Sequence, residues 1–277
     1  MDELYRERFA RAFGIMTEEE LERVRATTVG VAGLGMGGST FINLVRMGFE
    51  RFHVADPDVY ERTNINRQRA AKESTVHKRK DDSLLAEAHD INPAIEVEVF
   101  RDGVQPDNVE RFLGGVDWVV DVIDVYAMDC KLLMNERAHE LGIPVASSAS
   151  LGYGCVVLVF DSTTPSFGEL SGISNELDRG ENLDRFVRMM FPELPEYMRV
   201  QTELAMAGKG HIPFVVAGVE FAAAIVVVEI VKNVLGIGTR VKAPVGILCE
   251  PLDLRLEQFV SPAAASSSER EWTNQPS

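Results

Sequence analysis

Between Thr27 and Lys80 the chain sets glycines, then carboxylates, then amides and cations, in an order suited to holding phosphate. The stretch TTVGVAGLGMGG puts Gly33, Gly35 and Gly38 in a G-x-G-x-x-G pattern, with Gly37 as an extra glycine. Glycine lets the backbone turn sharply and brings its N–H groups close to phosphate oxygens. The start of a following helix adds partial positive charge. Asp56, with Asp58 just beyond it, follows a second apolar run, where a carboxylate can accept hydrogen bonds from ribose hydroxyls. Asn64, Arg67, Gln68 and Lys80 come next. Arg67 carries a fork of donors for phosphate oxygens, and Asn64 can bond ribose or phosphate. Lys80 is a compact positive charge, but His77, Lys78 and Arg79 crowd it, so residue types alone leave open which cation is used.

These groups need a frame. Val29, Val31 and Ala32 predict a strand running into Gly33, Ser39–Met47 a helix with Gly48 as its C-cap, and Phe52–Ala55 a second strand ending at Asp56. Asp81–Asp90 reads as a helix closed by Asn92-Pro93, and Ile95, Val97 and Val99 alternate as a half-exposed strand. Asp107–Leu113 is expected to be a short helix, and Val116–Val120 a buried strand. Asp121 and Asp124 then stand at its carboxyl end, where open parallel sheets bind ligands. Asp121 is expected to cap the next helix, Met128–Leu141. Ile143–Ala146 predicts another buried strand. Ser147, Ser148, Ala149 and Ser150 follow it, small enough to leave room for an extended peptide.

Val156–Phe160 is expected as an antiparallel strand, with Val245–Leu248 and Leu252–Leu256 as closing strands. Residues 2–25 read as one or two helices, with Thr17 and Glu20 forming a capping box. The expected fold is α/β, a Rossmann-like mostly parallel sheet with flanking helices and a few additional antiparallel strands. The expected divisions are an N-terminal helical segment at 1–26, a nucleotide-binding domain at 27–260 and a flexible tail at 261–277.

Composition narrows the function. A 277-residue chain with 45% hydrophobic content can bury one sizeable core. A net charge of −15 disfavours general binding to nucleic acid. Three cysteines with no C-x-x-C pair argue against a disulfide framework or a structural zinc, so no zinc is expected. Cys155 and Cys249 read as buried and inert, and Cys130 as helical. The longest apolar stretch, Phe214–Leu235, contains Glu220, Glu229 and Lys232 and reads as a buried helix. With a charged N-terminus, the expected setting is cytoplasmic, with no membrane partner.

The line D-P-D-V-Y-E-R-T-N-I-N-R-Q, followed by Lys80 and by Asp124 in VVDVIDV, resembles the ThiF/MoeB/HesA-type adenylyltransferase family, relatives of ubiquitin-activating enzymes. The match of order and spacing covers about residues 5–150. The resemblance implies ATP and Mg²⁺ as cofactors, with Gly33, Gly35, Gly37, Gly38, Asp56, Asp58, Asn64 and Gln68 around the nucleotide. It selects Lys80 among its basic neighbours and gives catalytic roles to Arg67, Lys80 and Asp124, with Asp124 holding magnesium. It also implies an N-terminal arginine, Arg8 before Arg11, reaching ATP phosphates across a homodimer interface. The implied reaction activates the C-terminal carboxylate of a ubiquitin-like or sulfur-carrier protein, or of a peptide, as an acyl-adenylate. Residues 161–212 would cover that tail, and with no Cys between Cys155 and Cys249 the loop lacks a thioester nucleophile.

Two positions depart from the family pattern: Met36 stands at a usual glycine, beside the expected phosphates, and Val125 at a usual asparagine. Other readings are adenylation of a small molecule or modified tRNA base, as in the threonylcarbamoyladenosine dehydratase branch, a catalytically inactive partner subunit, and an NAD-dependent oxidoreductase.

Overall fold

The computed structural model describes residues 1–265. One eight-stranded sheet runs through it in the order β3-β2-β1-β4-β5-β6-β7-β8. The strands are β1 (Thr28–Ala32), β2 (Arg51–Ala55), β3 (Glu96–Phe100), β4 (Trp118–Asp121), β5 (Val145–Leu151), β6 (Gly154–Phe160), β7 (Val245–Glu250) and β8 (Arg255–Val260). The first five are parallel, and β6, β7 and β8 pair antiparallel. The expected α/β architecture holds. Chain order reverses at β1, which lies between β2 and β4, and that switch point opens a crevice at the carboxyl ends of the strands. Ala32 is in register with Ala55 on one side and Asp121 on the other, so the segments after β1, β2 and β4 emerge at one level.

Two apolar layers cover the sheet. On one face pack α2 (Glu18–Ala26), α3 (Gly37–Met47), α4 (Lys80–Ile91) and α10 (Val216–Leu235). On the other pack α5 (Val109–Leu113), α6 (Met128–Glu140), α7 (Phe167–Ser171), α8 (Arg179–Met190) and α9 (Glu196–Met206). Met189, Met190, Phe191 and Met198 join this second layer, as their apolar character suggests. The N-terminal α1 (Glu3–Arg8) is anchored through buried Tyr5, whose hydroxyl donates to the Gly48 carbonyl at 2.8 Å. The Thr17–Glu20 capping box is present, and Gly48 closes α3 in the left-handed conformation. Among the described residues no helix is long and apolar enough to cross a membrane.

Some expected boundaries move. Strand β5 runs on to Leu151, so Ser147–Ser150 lie within it, because β6 pairs back along its full length. The last strand starts at Arg255 because Pro251–Asp253 forms a 3₁₀ turn. The chain is not a tail at 261: Ser261 is buried and its hydroxyl donates to the Met189 carbonyl at 2.8 Å, with a 3₁₀ turn over Pro262–Ala264. The rest of the expected tail lies outside the described residues.

Helix α3 begins at Gly37, earlier than the apolar pattern indicates. A Cβ on Gly37 would stand 2.7 Å from Val122 Cγ2 and 3.0 Å from Val31 Cγ1, and one on Gly38 3.0 Å from Leu84 Cδ1. These two glycines therefore seat the helix against the sheet and α4. Replacing Gly37 with Val is expected to overpack this junction and cost roughly 1–3 kcal/mol, read as a lower urea midpoint at unchanged m-value.

Candidate active site

The crevice at the switch point is a cavity of about 880 Å³. Gly33 and Gly35 form one wall. Gly33 has φ +93°, and a Cβ there would stand 2.4 Å from the Val122 carbonyl oxygen, so the β1 and β4 ends can approach only across a glycine. Asp56, at the end of β2, is buried and braces this turn. Its Oδ2 accepts from the Leu34 N–H at 2.6 Å and its Oδ1 from the Asp58 N–H at 2.8 Å.

Lys80 opens α4 and is buried. Its Nζ lies 2.8 Å from Asp58 Oδ2 and 3.6 Å from Asp56 Oδ1, which holds the ammonium at the cavity edge. Arg79 points elsewhere, donating to the Asp56 and Arg101 carbonyls and pairing with Asp81. The geometry thus separates the two neighbouring cations, which residue types alone did not.

Arg67 and Gln68 stand opposite. The Arg67 guanidinium donates to the Thr63 carbonyl and Asn66 Oδ1, both at 2.9 Å, and lies 4.7 Å from the centroid of the Phe214 ring. Its Nε is buried with no partner. Burial draws its pKa down, against the opposing charge of Asp124. Gln68 packs on Gly35, and its Oε1 is also buried without a partner. Phe214 is held in place because residues 213–215 are tied to Gly152 by two backbone hydrogen bonds. Arg67→Lys removes both the fork and the planar face that meets Phe214. If the cavity takes the triphosphate that the resemblance implies, the expected result is about a tenfold weaker hold on ATP, a loss near 1.4 kcal/mol, measured by calorimetric titration.

Asp121 departs from its expected role. Helix α6 starts at Met128 with no side-chain cap. Asp121 instead lies 0% exposed at the end of β4 and pairs with Lys131, itself 1% exposed, at 2.8 Å. It also accepts from Asn135 Nδ2 and Ser147 Oγ, each at 2.9 Å, and from the Ile123 N–H. The Lys131 ammonium also donates to the Ile123 carbonyl and faces the rings of Phe186 and Phe167. This network fixes the β4–α6 turn that carries Asp124. Asp124 is exposed at the cavity, with Oδ1 accepting from the Tyr126 N–H at 2.9 Å.

Past Asp124 the cavity continues between Ser148, Ala149 and Ser150 of β5, Phe186 and Val187 of α8, Phe191, and residues 211–215. The Ser150 hydroxyl is buried and unpartnered. Phe186 and Val187 of α8, which lies within residues 161–212, line this part of the cavity.

Of the sequence-derived candidates, Gly33, Gly35, Asp56, Asp58, Arg67, Gln68, Lys80 and Asp124 come together around this one cavity. Gly37 and Gly38 serve packing instead. Asn64 does not line it, because its Oδ1 accepts from the Glu61 N–H at 2.9 Å and closes a turn. Its neighbours Thr63 and Asn66 line it in its place. Arg8 ends α1 and does not border this cavity. Met36 and Val125 both border the cavity; Met36 also rests on the cluster of Cys155, Ala222 and Cys249, and Val125 on the apolar layer under α6. Lys131 and Phe214 were not singled out from the sequence, whereas Ser148, Ala149 and Ser150 line the cavity as the sequence suggested. A lysine following an aspartate pair into a helix was the one signal for Lys131, whereas Phe214 depends on its bridge to Gly152.

A model of the ThiF family matches residues 7–264. The chain belongs to that family. Within the ThiF family it is 34% identical over 141 residues to a tRNA threonylcarbamoyladenosine dehydratase of Haemophilus influenzae, covering 50% of this chain and 54% of that protein. It is 28% identical over 151 residues to the sulfur carrier protein ThiS adenylyltransferase of Bacillus subtilis, covering 53% and 44%. The chain thus spans about half the length of the curated relatives it matches. The crystal structure of E. coli MccB with MccA-N7isoASN superimposes with a TM-score of 0.68 at 14% identity, over 92% of this chain and 72% of that one, which shows a shared fold.

Proposed function

We propose that this chain is an ATP-dependent adenylyltransferase that activates the terminal carboxylate of a peptide or small carrier protein as an acyl-adenylate. One observation carries the reading. Arg67 Nε, Gln68 Oε1 and Ser150 Oγ are buried polar atoms without partners, and all belong to residues around one cavity. Buried polar groups are satisfied in the working state, so the cavity is shaped for a polar ligand. Its volume lies toward the upper end of the roughly 300–1,000 Å³ usual for small-molecule sites, which suits a nucleotide together with the end of an acceptor.

In this reading the glycine turn and Asp56 hold the nucleoside, with Asp56 offering its carboxylate to ribose. Lys80 leaves Asp58 to meet the triphosphate, and Arg67 contacts the phosphate that reacts. The acceptor carboxylate lies along Ser148–Ser150, walled by Phe186 and Phe191. One carboxylate oxygen attacks the α-phosphorus, the bond to the β-phosphate oxygen breaks, and pyrophosphate leaves. Little covalent work falls to the protein, so rate comes from positioning and charge.

Among the described residues no group of three His, Cys, Asp or Glu could hold a metal. Magnesium nonetheless suits the site, since it usually binds through one or two carboxylates plus substrate phosphates and water. Asp124 would hold it, and when bound it neutralises phosphate charge.

Arg8 would serve the cavity of a second copy in a homodimer. Mixing Arg8→Ala chains with Asp124→Asn chains should then restore activity that neither shows alone, and no restoration would remove Arg8 from the site.

The test of the acceptor is ATP–pyrophosphate exchange with carrier proteins, free peptides and tRNA compared side by side. Exchange that depends on an intact peptide or carrier C-terminus supports the proposal. Exchange that requires tRNA moves the assignment to a modified base, the reading favoured by the Haemophilus influenzae relative. Tight ATP binding with no exchange would point to an inactive partner subunit.

A further inference from the structure

Behind Met36, three sulfur-bearing side chains meet. Cys155 of β6 and Cys249 of β7 face each other in antiparallel register and form one small apolar cluster with Ala222, against which Met36 packs. Residues directly opposite on antiparallel strands have Cα atoms about 4.5–5.5 Å apart, inside the roughly 4.4–6.8 Å that a disulfide spans. Opposed residues also leave the sheet on one face, so these two sulfurs approach without backbone movement. The pair is sheltered, with Cys155 1% and Cys249 6% exposed. Cys155 nevertheless borders a second, small cavity of about 30 Å³ with Leu151, Gly154 and Glu250. A water needs only about 10–15 Å³, so a small oxidant has a place beside Cys155, across the strand pair from Cys249.

The two thiols are also unequal. The proximity of the two thiols draws the Cys249 pKa below its usual range and, with burial, pushes that of Cys155 up. A thiol that ionises near ambient pH is the better attacking group. Cys130, the third cysteine, is separate, and burial and Asp129 raise its pKa.

We propose that Cys155 and Cys249 form a reversible thiol–disulfide couple, oxidised by hydrogen peroxide and reset by dithiols, whose state is felt at Met36 in the wall of the nucleotide cavity. The Cys249 thiolate attacks one peroxide oxygen. The O–O bond breaks, leaving a sulfenic acid on Cys249, and the expelled hydroxide takes up a proton to become water. The Cys155 sulfur then attacks the Cys249 sulfur. The S–S bond forms as the S–O bond breaks, and the released hydroxyl takes the Cys155 proton as a second water. Two thiols and one peroxide give one disulfide and two waters, with the sulfur pair losing the two electrons that the peroxide gains. An external dithiol reverses the change by exchange. Closing the pair to about 2.05 Å reshapes the floor on which Met36 rests. The pairing stands apart from the adenylation reading, and only its effect on ATP rests on it.

The experiment treats the whole protein with graded hydrogen peroxide, unfolds it, alkylates free thiols and maps the peptides by mass. The expected result is a Cys155–Cys249 linked peptide, an alkylated Cys130 and complete reversal by dithiothreitol. Alkylation of all three cysteines after oxidation, or sulfinic acid at Cys249 without the link, overturns the couple. ATP titration of the two forms should show a change of about fivefold in affinity, absent in Cys155→Ala. Equal affinity in the two forms overturns sensing by Met36. Failure of both forms to bind ATP overturns the nucleotide link while leaving the mapped disulfide intact, and the mapping uses wild-type protein, so it stands even where the variant does not fold.

Discussion

Asp124→Asn should reduce acceptor-dependent ATP–pyrophosphate exchange by about 100-fold or more while leaving the folded protein nearly as stable as before. The side chain is exposed, and its protein contact is the Tyr126 N–H at 2.9 Å, which an asparagine oxygen can still accept. The substitution therefore keeps the turn and removes the charge. Exposed substitutions that spare such contacts usually stay within about 0.5 kcal/mol, so thermal unfolding should barely move. The loss should fall on the rate of exchange more than on ATP affinity, because the Asp124 charge is assigned to the reacting phosphates, whereas Asp56 and Lys80 are assigned to holding the nucleotide. Full exchange activity in this variant would take Asp124 out of the mechanism.

Lys131→Met should have the opposite signature. The methionine keeps much of the apolar stem against Phe167 and Phe186 but strips the buried Asp121 carboxylate of its cation. Removing one partner of a buried ion pair costs roughly 3–5 kcal/mol. Asn135, Ser147 and the Ile123 N–H still donate to Asp121, which places the expected loss toward the lower part of that range. Adding Asp121→Asn to Lys131→Met should recover stability, since no unpaired charge then remains. Urea unfolding of the two single variants and the double variant completes a thermodynamic cycle. A loss below about 1 kcal/mol for Lys131→Met would mean that the pair behaves like a surface contact and does not brace the β4–α6 turn.

Much of the frame was legible because it is written in local pattern. The apolar run before Gly33, the glycine turn, and the short strand ending at Asp56 each follow from neighbouring residues, and the cavity forms where those segments emerge. What escaped depends on contacts between distant segments. Gly37 and Gly38 looked like phosphate ligands, but their missing Cβ atoms make room for Val122 and Leu84. Asn64 had the right chemistry near Arg67, yet a local turn to Glu61 uses its oxygen. Asp121 was expected as a cap because a helix follows it, but the partner that claims it, Lys131, lies inside that helix. The opposition of Cys155 and Cys249 required knowing that β7 returns beside β6 in a particular register, which neither strand states by itself.

The central claim is that the cavity joins a carboxylate to the α-phosphate of ATP. It is tested most directly by a single turnover with ATP labelled at the α-phosphorus, magnesium and a panel of carrier proteins and peptides, followed by hydroxylamine. Labelled AMP together with an acceptor hydroxamate is expected, both lost in Asp124→Asn. Label recovered as ADP, or left as ATP while NADH binds in the same cavity, would contradict it.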